Sequence, residues 1–311
     1  QGENREEGES EEQPALSLAR SSFPAIRFAA GTRAPEEVVV EAHRMRTLRA
    51  SVENAVEYLP VESLETIAER LGVPPERIAK LDSNENPYGP PPAVVAALAT
   101  LTDLHLYPDP DQRRARRALA DYTGAPFERI LLGNGSDELI DLLLLAVIDP
   151  GDEVIVPVPS FGVYLSRPPL FGARVVAVPR TETFVLDLAA IEQAVTPHTK
   201  LIFLASPNNP TGNLVSAGEL ERLAHTGVLL VVDEAYYEFA GTTLQPFTER
   251  YDNVVILRTF SKWAGLAGLR IGYGIFPSHI ARALWRVKQP FNVSVAAQVA
   301  VEAALADREW L

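Results

Sequence analysis

VVILRTFSKWAGLAGLRIGYGIF, residues Val254–Phe276, opens as an apolar run rich in β-branched residues and then breaks at Thr259-Phe260-Ser261-Lys262 into small and glycine residues before Arg270. The run reads as a buried strand, Val254–Leu257, and the break as the loop leaving its carboxyl end. In a doubly wound sheet, ligands bind beyond the carboxyl ends of the strands. A lysine held there among apolar neighbours loses hydration, which lowers its pKa and frees its amine as a nucleophile able to form a Schiff base. Thr259, Ser261 and Arg270 add two hydroxyls and a planar fork of donors, a set suited to phosphate. Read by itself, Lys262 is equally an ordinary solvated lysine, because lysines are seldom buried. The decision rests on what the other strand ends carry.

Upstream, Val228–Val232 is a continuous apolar run of the kind found in central parallel strands, and it ends in Asp233-Glu234-Ala235-Tyr236. A carboxylate at the end of a buried strand is costly without a cationic partner. No lysine or arginine adjoins Asp233 in sequence, and a bound heterocycle is one way to supply the charge. The strand Leu201–Ala205 runs into Ser206-Pro207-Asn208-Asn209-Pro210-Thr211-Gly212, a turn that offers the amide of Asn209 as a donor. Strand Glu153–Val156 leads to Pro159-Ser160-Phe161-Gly162-Val163-Tyr164, where Phe161 is suited either to the core or to stacking on a planar ring. Strand Arg129–Leu132, the loop Gly133-Asn134-Gly135-Ser136-Asp137-Glu138 and a helix over Leu139–Ile148 would aim free backbone N–H groups at whatever lies above the sheet. Ser136 or Asp137 would serve equally as a plain helix cap. A further strand, Ala173–Val178, and helices over Leu188–Val195 and Ala217–Ala224 complete a βαβ alternation that predicts a mostly parallel sheet with helices on both faces.

Towards the amino end, Leu64, Ile67, Ala68 and Leu71 recur at helical spacing over Ser63–Leu71, and Gly72 supplies a stop. Two rigid loops follow, Asp82-Ser83-Asn84-Glu85-Asn86-Pro87-Tyr88-Gly89-Pro90 and Leu106-Tyr107-Pro108-Asp109-Pro110, each preceding a helix (Pro92–Leu101 and Arg113–Tyr122). Residues 1–13 hold six Glu against one Arg, and apolar periodicity is lacking before about Val38, so residues 1–44 are expected to be disordered. The only methionine is Met45, which suggests that residues 1–44 lie upstream of a natural start or that the chain is a fragment. A net charge of −13 argues against a nucleic-acid surface. Cysteine is absent and the five histidines lack ligand spacing, which leaves no thiolate or histidine metal site. No apolar run reaches the ~18 residues of a membrane span, and the first thirty residues lack the basic-then-apolar order of a signal peptide, so a cytoplasmic protein is expected.

In order and spacing, these segments resemble the fold-type-I pyridoxal-phosphate aminotransferases from about Tyr58 to Leu311. The Ser-Asn-Glu-Asn-Pro-Tyr-Gly-Pro, Leu-Tyr-Pro-Asp-Pro, Gly-Asn-Gly-Ser-Asp-Glu, Pro-Asn-Asn-Pro-Thr-Gly and Thr-Phe-Ser-Lys segments carry the likeness. The resemblance implies a three-layer α/β fold and pyridoxal 5'-phosphate as cofactor. Lys262 would hold the cofactor and then serve as the base, Asp233 would pair with the pyridine nitrogen, Asn209 and Tyr236 would hydrogen-bond the ring hydroxyl, and Phe161 would stack on the ring. Ser136, Asp137, Thr259, Ser261 and Arg270 would take the phosphate. Tyr58 and Asn86 would border the substrate, and Tyr107 would reach into the partner's site of a homodimer. The implied reaction moves an amino group from a small-molecule donor to a 2-oxo acid. Alternatives are an aromatic aminotransferase, a phospho-amino-acid decarboxylase of the same fold, or a non-catalytic fragment that binds the cofactor. Two departures stand out. Trp263 takes a position where the family usually carries a small residue. The family also continues past Leu311 into a small domain that supplies an arginine for the substrate carboxylate. On this reading residues 45–90 and 291–311 are parts of an incomplete small domain around a large one (91–290), and the apolar faces of Ile280–Val287 and Val295–Leu305 are left towards water.

Overall fold

Seven strands form one sheet in the computed structural model, which describes residues 48–53, 55, 61–307 and 309–310. The expected disordered arm (residues 1–44) and Tyr58 lie outside the described residues. The strands are β1 (Ile130–Asn134), β2 (Glu153–Val158), β3 (Arg174–Pro179), β4 (Thr199–Ala205), β5 (Leu229–Asp233), β6 (Val254–Thr259) and β7 (Ile271–Ile275), and their order across the sheet is β1-β7-β6-β5-β4-β2-β3. Pairing is parallel from β3 through β2, β4 and β5 to β6, whereas β7 runs antiparallel to both β6 and β1. Strand β7 is not foreseen from the sequence pattern, because Gly272 and Gly274 interrupt its apolar residues.

Side chains alternate across a strand, so a sheet buried on both faces needs apolar residues at every position. Strands β5 and β6 meet that demand. Leu230, Val232, Val254 and Ile256 face one core, shared with residues of the Pro92–Ala99, Arg113–Thr123, Ala217–Ala224 and Val295–Ala306 helices. Leu229, Val231, Val255 and Leu257 face the other, shared with the Gly135–Val147 and Ser278–Val287 helices. This is the expected three-layer arrangement of helix, sheet and helix.

The helices near the carboxyl end depart from expectation. Ala297, Ala300, Val301 and Ala304 of the Val295–Ala306 helix are buried, and that helix packs on the Pro92–Ala99 and Arg113–Thr123 helices. Ala281 and Leu284 of the Ser278–Val287 helix are buried against the Gly135–Val147 helix. Both apolar faces are therefore covered by this chain's own helices, and the described residues form one compact unit.

Candidate active site

The carboxyl ends of β4, β5 and β6 and the start of the Gly135–Val147 helix surround a cavity of about 560 Å³. Ser136, Asp137, Phe161, Asn209, Asp233, Tyr236, Thr259, Ser261, Lys262 and Arg270 all line it, so the structure brings together every residue singled out for the cofactor. Two of the three substrate candidates can be placed, and neither lines the cavity. Asn86 donates from Nδ2 to the Trp263 carbonyl at 3.0 Å and accepts from the Tyr88 amide at 3.0 Å, which pins its loop against the segment after Lys262. Tyr107 is 80% exposed and stacks on Phe291 with ring centroids 4.4 Å apart.

Lys262 is half-buried, and its Nζ donates to the main-chain oxygen of Ser83 at 2.7 Å. Loss of hydration lowers its pKa, the bias that favours a neutral, nucleophilic amine. Burial lowers the pKa of Lys288 too, but its Nζ is spent on the carbonyls of Gln289 and Pro290 and on Asn292, outside the cavity. Position, rather than pKa alone, separates the two lysines.

Asp233 is 5% exposed. Its carboxylate accepts from the Tyr164 hydroxyl at 2.6 Å and from the Ala235 amide at 2.9 Å, and no ion pair among the described residues includes it. Burial raises its pKa from 3.8 to about 6. The next residue, Glu234, is 1% exposed and has the partner that Asp233 lacks. It receives the Arg258 guanidinium through Nε at 3.0 Å and Nη2 at 2.9 Å. One of two adjacent buried carboxylates is thus neutralised within the fold, and the other is left facing the cavity.

Around the phosphate candidates, glycine is required by contact. A Cβ on Gly272 would come within 2.5 Å of the Ser136 amide and 2.9 Å of the Arg258 carbonyl, and one on Gly135, where φ is +76°, within 2.5 Å of Arg270 Nη2. These absent side chains let β7 and the arginine close on the first turn of the Gly135–Val147 helix. The helix begins at Gly135 and not at Leu139, and its N-cap residue, Asn134, makes no side-chain cap bond. Ser136 and Asp137 therefore lie inside the first turn, where backbone N–H groups lack intrahelical partners. Arg270 Nη2 meets Asp137 Oδ2 at 2.9 Å, and the Thr259 hydroxyl donates to Ser261 Oγ at 3.0 Å.

The sequence points to the Asp82–Pro90 loop but not to Ser83 or Asn84 within it, nor to Tyr164. Asn84 Nδ2 donates to the Tyr236 hydroxyl at 2.9 Å, so this loop grips both Lys262 and Tyr236 across more than 150 positions of sequence. Tyr164 lies three residues after Phe161 on a short helix, and that spacing was its only signal.

These features fit pyridoxal phosphate. The orphaned Asp233 carboxylate suits a pyridinium nitrogen, the helix start with Arg270 and two hydroxyls suits a phosphate, and the half-buried Lys262 amine suits an aldehyde carbon. Comparison with known proteins agrees. Histidinol-phosphate aminotransferase of Roseiflexus castenholzii is 51% identical over 266 residues, 84% of this chain and 72% of that protein. The enzyme of the same name from Dehalococcoides mccartyi is 50% identical over 236 residues, 76% of this chain and 66% of that protein. The chain thus spans about two-thirds to three-quarters of their length. The crystal structure of histidinol-phosphate aminotransferase from Sinorhizobium meliloti in complex with pyridoxal-5'-phosphate superposes with a TM-score of 0.75 at 29% identity, covering 86% of this chain and 73% of that one. Residues 76–311 match the family model for aminotransferase class I and II, so the chain belongs to that family, and pyridoxal 5'-phosphate is its cofactor.

Proposed function

We propose that this protein transfers the amino group of L-histidinol phosphate to 2-oxoglutarate, giving imidazole acetol phosphate and L-glutamate, as a cytoplasmic homodimer. The observation that carries the reaction class is the half-buried Lys262 amine sharing one cavity with a buried Asp233 that no cation among the described residues neutralises. The donor rests on relatives of that name at about half identity.

Pyridoxal phosphate, when bound, supplies an electron sink for the negative charge that develops at the donor's amino-bearing carbon. Lys262 would hold the cofactor through Nζ, and its amine would accept the proton from that carbon. Asp233, held by the Tyr164 hydroxyl, would pair with the ring nitrogen and favour its protonated form. Asn209 and Tyr236 would hydrogen-bond the ring hydroxyl, with Asn84 steering Tyr236, and Phe161 would pack against the ring. The backbone amides of Ser136 and Asp137, the hydroxyls of Thr259 and Ser261, and Arg270 would hold the phosphate. Asn86 acts at one remove from the substrate, holding its loop against the segment that follows Lys262.

The dimer is supported by an exposed apolar patch around the Tyr107–Phe291 stack that includes Leu104 and Leu106, 68% and 58% exposed. Within it Tyr107 extends towards the partner's site. Leu106→Asp should convert the dimer to monomers in analytical ultracentrifugation. An unchanged sedimentation coefficient would remove this surface from consideration.

Borohydride reduction of the cofactor-loaded protein followed by peptide mapping should mark Lys262. A mark on Lys80, Lys200 or Lys288 would overturn the assignment. Turnover of histidinol phosphate should exceed that of phenylalanine and tyrosine, and the reverse preference would favour the aromatic aminotransferase reading.

A further inference from the structure

Behind the Lys262 loop lies a second cavity, of about 680 Å³, that the transamination site does not use. Tyr122, Tyr237 and Trp263 give it aromatic walls, and Glu238 and Thr242 also line it. Tyr122 and Trp263 stack with centroids 6.0 Å apart, and the Tyr237 hydroxyl donates to that of Tyr122 at 2.9 Å. Two polar groups in these walls are buried and make no hydrogen bond of ordinary length among the described residues, although the Tyr237 hydroxyl lies close enough to one of them, the Glu238 carboxyl, to favour its ionised form. They are the indole N–H of Trp263 and both carboxyl oxygens of Glu238.

A buried carboxyl without a hydrogen bond of ordinary length is rare, because it forfeits hydration without full compensation. Here burial raises the Glu238 pKa from 4.5 to about 8. The nearby charges leave it unsatisfied. The Arg258 guanidinium lies 3.7 Å from the centre of the Tyr237 ring and favours the ionised Glu238, but it is paired with Glu234. Tyr122, Tyr237, Tyr273, Glu234 and Arg258 are the titratable groups around the carboxyl.

We propose that this cavity is a second ligand site, separate from the cofactor pocket, which takes a small organic cation between the aromatic walls and Glu238. A cation satisfies the carboxylate and at the same time gains from the electron-rich ring faces. An anion would be repelled by the ionised carboxyl, and a neutral ligand could hydrogen-bond to it but would not offset its charge. Both Glu238 oxygens are shielded from solvent, so the ligand reaches them through an adjustment of that side chain's rotamer. The chain's net charge of −13 favours the approach of cations. Trp263 directly follows Lys262, so an occupant touches the segment that carries the reactive amine.

The site is independent of the donor assigned above and is tested without turnover. Benzyltrimethylammonium is a suitable probe, because a quaternary nitrogen neither titrates nor condenses with pyridoxal phosphate. Isothermal titration calorimetry of the cofactor-loaded protein should show saturable binding of this cation, with benzyl alcohol at least tenfold weaker. Affinity should rise with pH by up to about tenfold per unit below pH 8 and level off above it, since only the ionised Glu238 pairs with the cation. Glu238→Gln should abolish this pH dependence and weaken binding at least tenfold at pH 8. Thr242→Trp, which fills the cavity from an exposed position, should abolish binding with Glu238 intact. Absence of saturable binding, equal affinity for benzyl alcohol, or undiminished binding to both variants would overturn the proposal.

Discussion

Asp233 and Glu234 show how far a single residue's surroundings decide its task. Both carboxylates are buried at the end of β5, yet one is locked to Arg258 and the other keeps only a tyrosine hydroxyl and a backbone amide. In the cofactor-free protein, the folded-state pKa of Asp233, about 6, lies above its ordinary 3.8. The folded state therefore binds the proton more tightly than the unfolded one, and stability falls as pH rises from about 4 to about 6. That gap corresponds to at most ~3 kcal/mol at neutral pH. Asp233→Asn, which keeps an acceptor for Tyr164, should make the cofactor-free protein more stable at pH 7 by up to this amount and flatten the pH dependence of its thermal midpoint. Pyridoxal phosphate should reverse the order, stabilising the wild type more, because only the carboxylate gains from the ring cation. A variant stabilised equally by the cofactor would deny Asp233 that partner. By contrast Glu234→Ala should cost about 3–5 kcal/mol with or without cofactor, since it strands a buried guanidinium.

At the scale of elements, strand β7 explains both what the sequence disclosed and what it hid. Continuous apolar runs such as Val228–Val232 and Val254–Leu257 were legible as buried strands, and β5 and β6 occupy those positions to within two residues. Ile271–Ile275 was not, because glycine at alternate positions removes the pattern by which strands are recognised. The glycines answer to a contact made by another element, the approach of the first turn of the Gly135–Val147 helix, and a one-dimensional pattern carries no trace of it. The same helix was placed four residues late, since its first turn is polar and faces the cavity instead of the core. The Lys262–Ser83 and Asn84–Tyr236 contacts were likewise invisible, being set by how loops meet above the sheet. Gly272→Ala tests this reading. Its Cβ would press on backbone atoms at 2.5–2.9 Å that cannot rotate away, so a loss of about 1–3 kcal/mol is expected, together with weaker phosphate binding. Denaturant titration and phosphate competition against the cofactor measure the two effects. Gly218→Ala, which meets nothing within 4 Å and lies outside the cavity, is the matched control for phosphate binding.

For the molecule as a whole, the site is spread over segments from Ser83 to Arg270, so cofactor binding and folding are linked. A ligand that binds only the folded state stabilises it by about 2.7 kcal/mol at a hundred times its dissociation constant. Pyridoxal phosphate should therefore raise the thermal midpoint in a concentration-dependent way, with no saturation at stoichiometric cofactor unless the covalent bond to Lys262 forms. Arg270→Gln separates the fold's needs from the cofactor's. The Arg270–Asp137 pair has both side chains about half exposed, and ion pairs of that kind contribute about 0–1 kcal/mol. The cofactor-free variant should consequently unfold within a few degrees of the wild type. Its gain in midpoint from pyridoxal phosphate should shrink markedly, whereas the gain from pyridoxal, which lacks the phosphate, should match the wild type's. An equal loss of response to both ligands would mean that Arg270 shapes the whole cavity instead of holding one group, and the phosphate would then rest on the helix start and the two hydroxyls alone.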